Sequence, residues 1–271
     1  MELQENYSKL QAQQIGLAAI SYDSPAVLKT FADRKNITFP LLYDAESKTI
    51  RAFGILNEKA TSFSAGVPHP GTFMLDAKGV VLSKFFEDDF RERYTVPVIL
   101  SRQFGVEAGA QREDIETPQL HLATSASAAT VRWGERITLS IDIALKGASM
   151  HVYAPEVQGY IPIDWKMTES PAIKVYPAVY PPSKMLRLQA IKETVPVFQG
   201  HFRLTRDITI GTDAAVKPLL DDKGMLTIAG TLRVQTCGEK ICYPPQNIPV
   251  VWKVHFEAVD RQRAPAELQR K

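Results

Sequence analysis

Cysteine is scarce in this chain: two residues in 271, Cys237 and Cys242, and none in residues 1–236. A disulfide framework is excluded by that count, because a chain of this length must build its own hydrophobic core. Tetrahedral zinc is poorly served as well. Two thiolates need about two further ligands, and the sequence has neither a Cys-x-x-Cys partner nor a His-x-x-x-His pair. No apolar run approaches the ~20 residues of a membrane helix. The opening Met1-Glu2-Leu3-Gln4-Glu5 lacks the basic start and apolar stretch of a signal peptide. Charge of one sign is lacking too: a net +2 gives no field for nucleic acid or an acidic membrane surface. No Gly-rich phosphate loop, Ser-His-Asp set or carboxylate pair occurs, so no cofactor and no metal are expected. What remains is ordinary for a soluble globular protein, with 45% apolar and 23% charged residues. The length suggests two domains.

The two cysteines sit together in Gln235-Thr236-Cys237-Gly238-Glu239-Lys240-Ile241-Cys242-Tyr243-Pro244-Pro245. An alternating strand, Leu226 to Gln235, runs into the first, and a second, Pro249 to Phe256, follows the last proline. Both sulfurs therefore belong to one hairpin tip, close enough to bond. A pair at an exposed tip can open and close without disturbing a core. A structural staple is the plainer reading, although a loop this short contributes only about 2 kcal/mol in the chain-entropy picture. Spacing and composition alone do not choose between redox pair and staple. Lys240 favours the thiolate at this tip and Glu239 opposes it.

The string from Val234 to Pro245 resembles the active-site segment in the N-terminal periplasmic domain of the transmembrane reductase DsbD: Gln-x-Cys, a few polar residues, then Cys-aromatic-Pro-Pro. A looser likeness runs upstream through His151-Val152-Tyr153-Ala154-Pro155 and Val197-Phe198-Gln199-Gly200-His201-Phe202, covering residues 118–258. The resemblance implies an immunoglobulin-like sandwich whose cysteine pair exchanges electrons with a thioredoxin-type protein or domain. It implies a Phe-bearing loop capping the disulfide, matched here by Phe198, and a tyrosine strand flanking it, matched by Tyr153. From the family, Cys242 is favoured as the attacking thiol. One residue fewer separates the cysteines than in the best-known member, so loop geometry and potential do not carry over.

The N-terminal third reads as α/β. Ile15 to Ser21 suits a buried strand. Ser24 can cap a helix whose first residue is Pro25 and whose apolar face is Val27, Leu28, Phe31 and Ala32. Phe39 to Tyr43 reads as a strand and Ser47 to Phe53 as a helix. Thr72 to Asp76 and Val80 to Lys84 flank the turn signal Ala77-Lys78-Gly79. Asp88 to Phe104 reads as partly helical, interrupted near Pro97. Gly16 to Asp23, Phe39 to Asp44 and Pro70-Gly71-Thr72-Phe73-Met74-Leu75-Asp76 resemble the later two-thirds of a thioredoxin-like redoxin, the group of AhpC/TSA peroxiredoxins and TlpA-type reductases. The resemblance makes Pro70 the counterpart of a cis proline that faces the catalytic cysteine. It also implies a strand and cysteine motif ahead of Glu2–Gln13, and residues 1–236 hold no cysteine. The first domain, residues 1–105, is thus expected as a partial redoxin without its own thiol chemistry.

Residues 106–117 read as a linker, ahead of a domain over 118–258 and a polar, frayed tail over 259–271. Beyond Pro118 the period is two: Ile137, Leu139, Ile141, Ile143 and Leu145 alternate with polar residues, as do Leu226 to Val234 and Val250 to Phe256. Half-buried strands between Pro and Gly turns argue for an antiparallel sandwich. Val157 to Pro162 reads as a turn. Tyr176, Tyr180, Pro181 and Pro182 form an aromatic-proline patch that reads as a packed loop. His151, His201 and His255 read as surface or core residues. The expected function is thiol–disulfide exchange through Cys237 and Cys242 in a periplasmic or otherwise extracytoplasmic compartment. The alternatives are a docking module with a permanent disulfide, or part of a thiol peroxidase.

Overall fold

A computed structural model describes residues 2–86, 92–104, 112–188, 192–260 and 262–268. The chain divides into two compact units, one of Met1–Val106 with Val259–Lys271 and one of Glu107–Ala258.

The first unit is α/β. Short helices at Glu2–Glu5 and Tyr7–Ala12 precede the strand Ala19–Ser21. The helix Pro25–Lys35 begins as the sequence dictates: the Ser24 hydroxyl accepts from the Val27 N–H, Pro25 is the first helical residue, and Asn36 closes it in the left-handed conformation. Ala19–Ser21 pairs in parallel with Leu41–Tyr43. That strand is not the buried one its apolar run suggests. Ile20 is 45% exposed and Leu42 46%, because each strand has a single partner among the described residues. The expected helix from Ser47 is shorter, a 3₁₀ turn at Ala45–Ser47 running into Lys48–Ala52. Gly71–Leu75 and Val81–Phe86 form the expected hairpin, its turn held by the Asp76 carboxylate accepting from Lys78 and Val80 N–H. Pro97 does not interrupt a helix; it stands in the first turn of Val96–Phe104, where a missing N–H costs nothing. The earlier part of that expected helix, residues 88–91, lies outside the described residues. The tail is more engaged than its polarity suggests: Asp260 receives Lys35 at 2.6 Å and Arg34 at 3.3 Å, and Ala266–Leu268 makes a 3₁₀ turn.

The second unit is almost wholly β. One sheet contains, in order, Ile173–Val179, His201–Ile210, Glu135–Leu145, Leu120–Ala126 and Glu113–Glu116, all antiparallel. Pairing thus begins inside the expected linker, at Glu113; residues 105–111 lie outside the described residues. A second sheet runs Asp164–Met167, Met225–Val234, Gln246–Phe256 and Thr130–Val131. The alternation in the sequence is the reason. Leu226, Ile228, Leu232 and Val234 are buried on one face, and Ile248, Val250, Trp252, Val254 and Phe256 join them. They share one apolar core with Ile137, Leu139, Ile141 and Ile143 of the first sheet. Trp165 and Trp252 stack in it at 5.3 Å between ring centroids. Tyr176 is not in a loop but in Ile173–Val179, with the Arg136 guanidinium over its ring at 3.9 Å.

Two of these elements leave the main sheets to build a third. After Val234 the chain continues as Thr236–Cys237 and pairs with His151–Tyr153 instead of Gln246–Phe256. Glu193–Gln199 likewise precedes His201–Ile210, separated by Gly200 at φ +65°. The resulting sheet runs Lys184–Leu188, Glu193–Gln199, His151–Tyr153, Thr236–Cys237. One edge strand of this sheet, Thr236–Cys237, leads into the cysteine hairpin.

Candidate functional site

The hairpin tip is short. Gly238 N–H donates to Ile241 C=O at 2.8 Å and Tyr243 N–H to Thr236 C=O at 2.9 Å, leaving Glu239 and Lys240 exposed in the turn. Between these two bonds Cys237 and Cys242 stand opposite each other with Cα atoms 4.0 Å apart, joined as a disulfide. The two halves of the bond are unequal. Cys237 is 0% exposed, whereas Cys242 is exposed. The exposed residue of the pair is thus Cys242 and the sealed one Cys237.

Cys237 belongs to a small apolar cluster apart from the main core. Tyr153, Val195 and Val197 are buried with it, and Val157, Tyr160, Leu186 and Leu188 cover it partly. Register explains the membership. Tyr153 stands opposite Val197, and His151 opposite both Gln199 and Cys237, so these side chains share one face of the third sheet.

The Tyr153 hydroxyl lies 4.0 Å from Cys242 Sγ, the outer edge of a hydrogen bond to sulfur. Tyr160 stacks on Tyr153 at 4.5 Å, and its hydroxyl donates to Glu193 Oε2 at 2.5 Å. That bond to Glu193 pushes the Tyr160 phenol up to about 12. Burial, with the charge of Glu193 behind it, raises Tyr153 as well. Both phenols stay protonated at neutral pH, so Tyr153 keeps a proton to donate toward sulfur. The His151 ring meets Tyr153 edge to face at 5.4 Å. Among the described residues no group of three or more His, Cys, Asp or Glu could hold a metal ion.

Of the residues singled out by sequence, Tyr153 and Lys240 lie at the disulfide hairpin and its flank. Phe198 does not. It stands opposite Val152, on the other face of the sheet, packed against Phe202 at 5.0 Å and Tyr180 at 6.4 Å within the main core. Pro70 leads into Gly71–Leu75 in the first unit, and among the described residues no peptide bond is cis. Tyr160, Glu193, Val195 and Leu186 escaped the sequence reading, and Val197 entered it only within the looser upstream likeness. The signal was Tyr160 itself, an aromatic in a stretch read as a plain turn.

Residues 118–250 match the family described as thiol:disulfide interchange protein DsbD, N-terminal. Residues 1–84 match the AhpC/TSA family. The chain joins a redoxin segment to a DsbD N-terminal segment. The redoxin part is 30% identical over 101 residues to peroxiredoxin Bcp of Escherichia coli (strain K12), and equally to putative peroxiredoxin bcp of Shigella flexneri. That match covers 36% of this chain and 63% of each relative, so the chain spans under two-thirds of their length. Among solved structures, the N-terminal periplasmic domain of ScsB from Proteus mirabilis aligns with TM-score 0.36 and 11% identity, over 60% of this chain and 55% of that one. The Neisseria meningitidis DsbD N-terminal domain in the reduced form aligns with TM-score 0.25 and 11% identity, over 43% and 75%. Superpositions this partial bear no functional argument. No helix among the described residues is long and apolar enough to cross a membrane.

Proposed function

We propose that the second unit, an immunoglobulin-like sandwich, is a thiol–disulfide exchange module working through Cys237 and Cys242. The observation that carries this reading is the unequal exposure of the two sulfurs, one sealed in an apolar cluster and the other open beside an exposed Ile241. A partner thiolate attacks Cys242 Sγ, the Cys237–Cys242 bond breaks, and Cys237 leaves with the electron pair. A second partner thiol then displaces Cys242 and leaves it reduced. Run backward, Cys242 attacks the partner's disulfide and Cys237 resolves the mixed disulfide. The partner is a thioredoxin-type protein or domain, and the compartment is extracytoplasmic, where such pairs persist. The match to the DsbD N-terminal family supports the exchange reading.

The first unit serves in this reading as a scaffold or docking body. A peroxidase needs a peroxidatic thiol, and residues 1–84 have none. A permanent docking module is less favoured, because Tyr176 and Tyr180 of the aromatic patch are engaged inside the unit. The reading is tested by counting thiols by mass after alkylation across dithiothreitol redox buffers. A reversible two-electron transition between about −180 and −270 mV is expected, the span of known exchange proteins. A bond that stays closed far below that span makes the pair a staple.

A further inference from the structure

His151 is 2% exposed, and neither ring nitrogen has a partner at hydrogen-bond geometry. The Ser149 main chain approaches the ring without closing a bond to it. An orphaned buried polar group is costly and calls for an explanation. Register supplies one. His151 stands directly opposite Cys237 in the antiparallel pair, a placement that brings Cβ atoms roughly 5 Å apart on one face. In the disulfide, Cys237 offers no donor and only a weak acceptor. Once the bond opens, the same sulfur becomes an S–H donor, or a thiolate, at the strand position opposite His151.

We infer that His151 is the proton acceptor for Cys237 in the step that closes the disulfide. This rests on the exchange reading above and assigns a residue to its resolving step. Starting from a mixed disulfide on Cys242, the Cys237 S–H proton passes to a ring nitrogen of His151. The Cys237 sulfur bonds to Cys242 Sγ, the bond from Cys242 to the partner sulfur breaks, and the partner leaves as a thiolate. The imidazolium then returns its proton to that thiolate or to water. Electrons balance: Cys237 and Cys242 end oxidised and the partner reduced. In the opposite direction the imidazolium hands the proton back to the departing Cys237. A buried thiol needs such help, since apolar surroundings raise its pKa and an unassisted thiol is only a few per cent thiolate at neutral pH.

Burial holds the His151 pKa below its usual value, so the ring is neutral and able to accept at pH 7. The other titratable groups of this face do not compete. Tyr153 and Tyr160 are held protonated, and the Glu193 carboxylate is occupied by Tyr160. Glu239 and Lys240 point to solvent in the turn.

The test uses the full reduced chain and a small aromatic disulfide, dithiobis-nitrobenzoate. The first nitrothiolate released reports attack by Cys242 and the second reports closure by Cys237. In the wild-type chain the closure rate is expected to rise through one ionisation below the thiol range and then level off. In His151→Phe it should fall about tenfold or more near pH 7 and climb with hydroxide up to the thiol pKa, where the two proteins converge. The first release should be unchanged. Equal closure rates and equal profiles in a folded variant overturn the inference. If the variant does not fold, the wild-type profile decides: a rate proportional to hydroxide with no lower inflexion also overturns it. A wild-type chain that releases one nitrothiolate and never the second sinks the exchange reading instead, and this inference with it.

Discussion

At the scale of single residues, the site is defined by an inequality between two chemically identical side chains. Cys237 and Cys242 are five apart in sequence, yet one is sealed and the other open. The cause is local. Cys237 still belongs to a strand paired with His151–Tyr153, while Cys242 lies past the turn, outside the described strands. In the proposed exchange, attack from outside is governed by access, and the exposed residue is Cys242. Cys237→Ser should therefore leave an exposed thiol that traps a thioredoxin-type partner or a small disulfide as a stable adduct, seen by mass. Cys242→Ser should react at least about tenfold more slowly, because the remaining thiol is buried. The reverse ranking would move the attacking role to Cys237. Losing the bond itself should cost only about 2 kcal/mol in either variant, since so short a loop restricts the unfolded chain little.

At the scale of elements, the site exists because two chain segments change sheets. Gly200 is the pivot of one. It holds φ +65°, with nothing within 4 Å of an added Cβ, so its backbone conformation and not space demands glycine. Gly200→Ala should destabilise the second unit by about 1–2 kcal/mol, the cost of a left-handed L-residue. A lowered denaturation midpoint with unchanged slope would show it, and an unchanged midpoint would remove Gly200 from this role. The same scale explains what the sequence disclosed. Leu226 to Val234 and Ile137 to Leu145 run long enough for their two-residue period to be read directly. His151–Tyr153 and Thr236–Cys237 have three and two residues, too few to show any period, so the third sheet was illegible without the resemblance. Phe198 shows the hazard of that route. Successive residues of a strand face opposite ways, so a likeness misplaced by one position puts a side chain on the wrong face. Val197, its neighbour, is the residue beside Tyr153. The cysteine hairpin was legible for the opposite reason: its chemistry, spacing and flanking prolines are all contiguous.

At the scale of the whole molecule, the two units differ in how they are held together. The second unit has a continuous core from Leu120 to Phe256, anchored by the stacked Trp165 and Trp252. The first has smaller groups, such as Leu10, Val96 and Leu100, and two separate two-stranded sheets that leave Ile20, Leu42, Val80, Val81 and Leu82 largely exposed. A two-stranded sheet is marginal by itself. Its chain also leaves at Val106 and returns at Val259, so its closing contacts, Lys35 and Arg34 with Asp260, join segments distant in sequence. Such closure has an entropic cost and gains little from surface ion pairs. Calorimetry of the full chain should therefore show two transitions, the first from unit 1, and that first one should shift downward at high salt. Closure of the Cys237–Cys242 bond, assayed between the two transitions, should proceed as in the native chain, because every residue of the site lies in unit 2. A single cooperative transition, or loss of closure together with the first, would show instead that the exchange module depends on the redoxin segment for its fold.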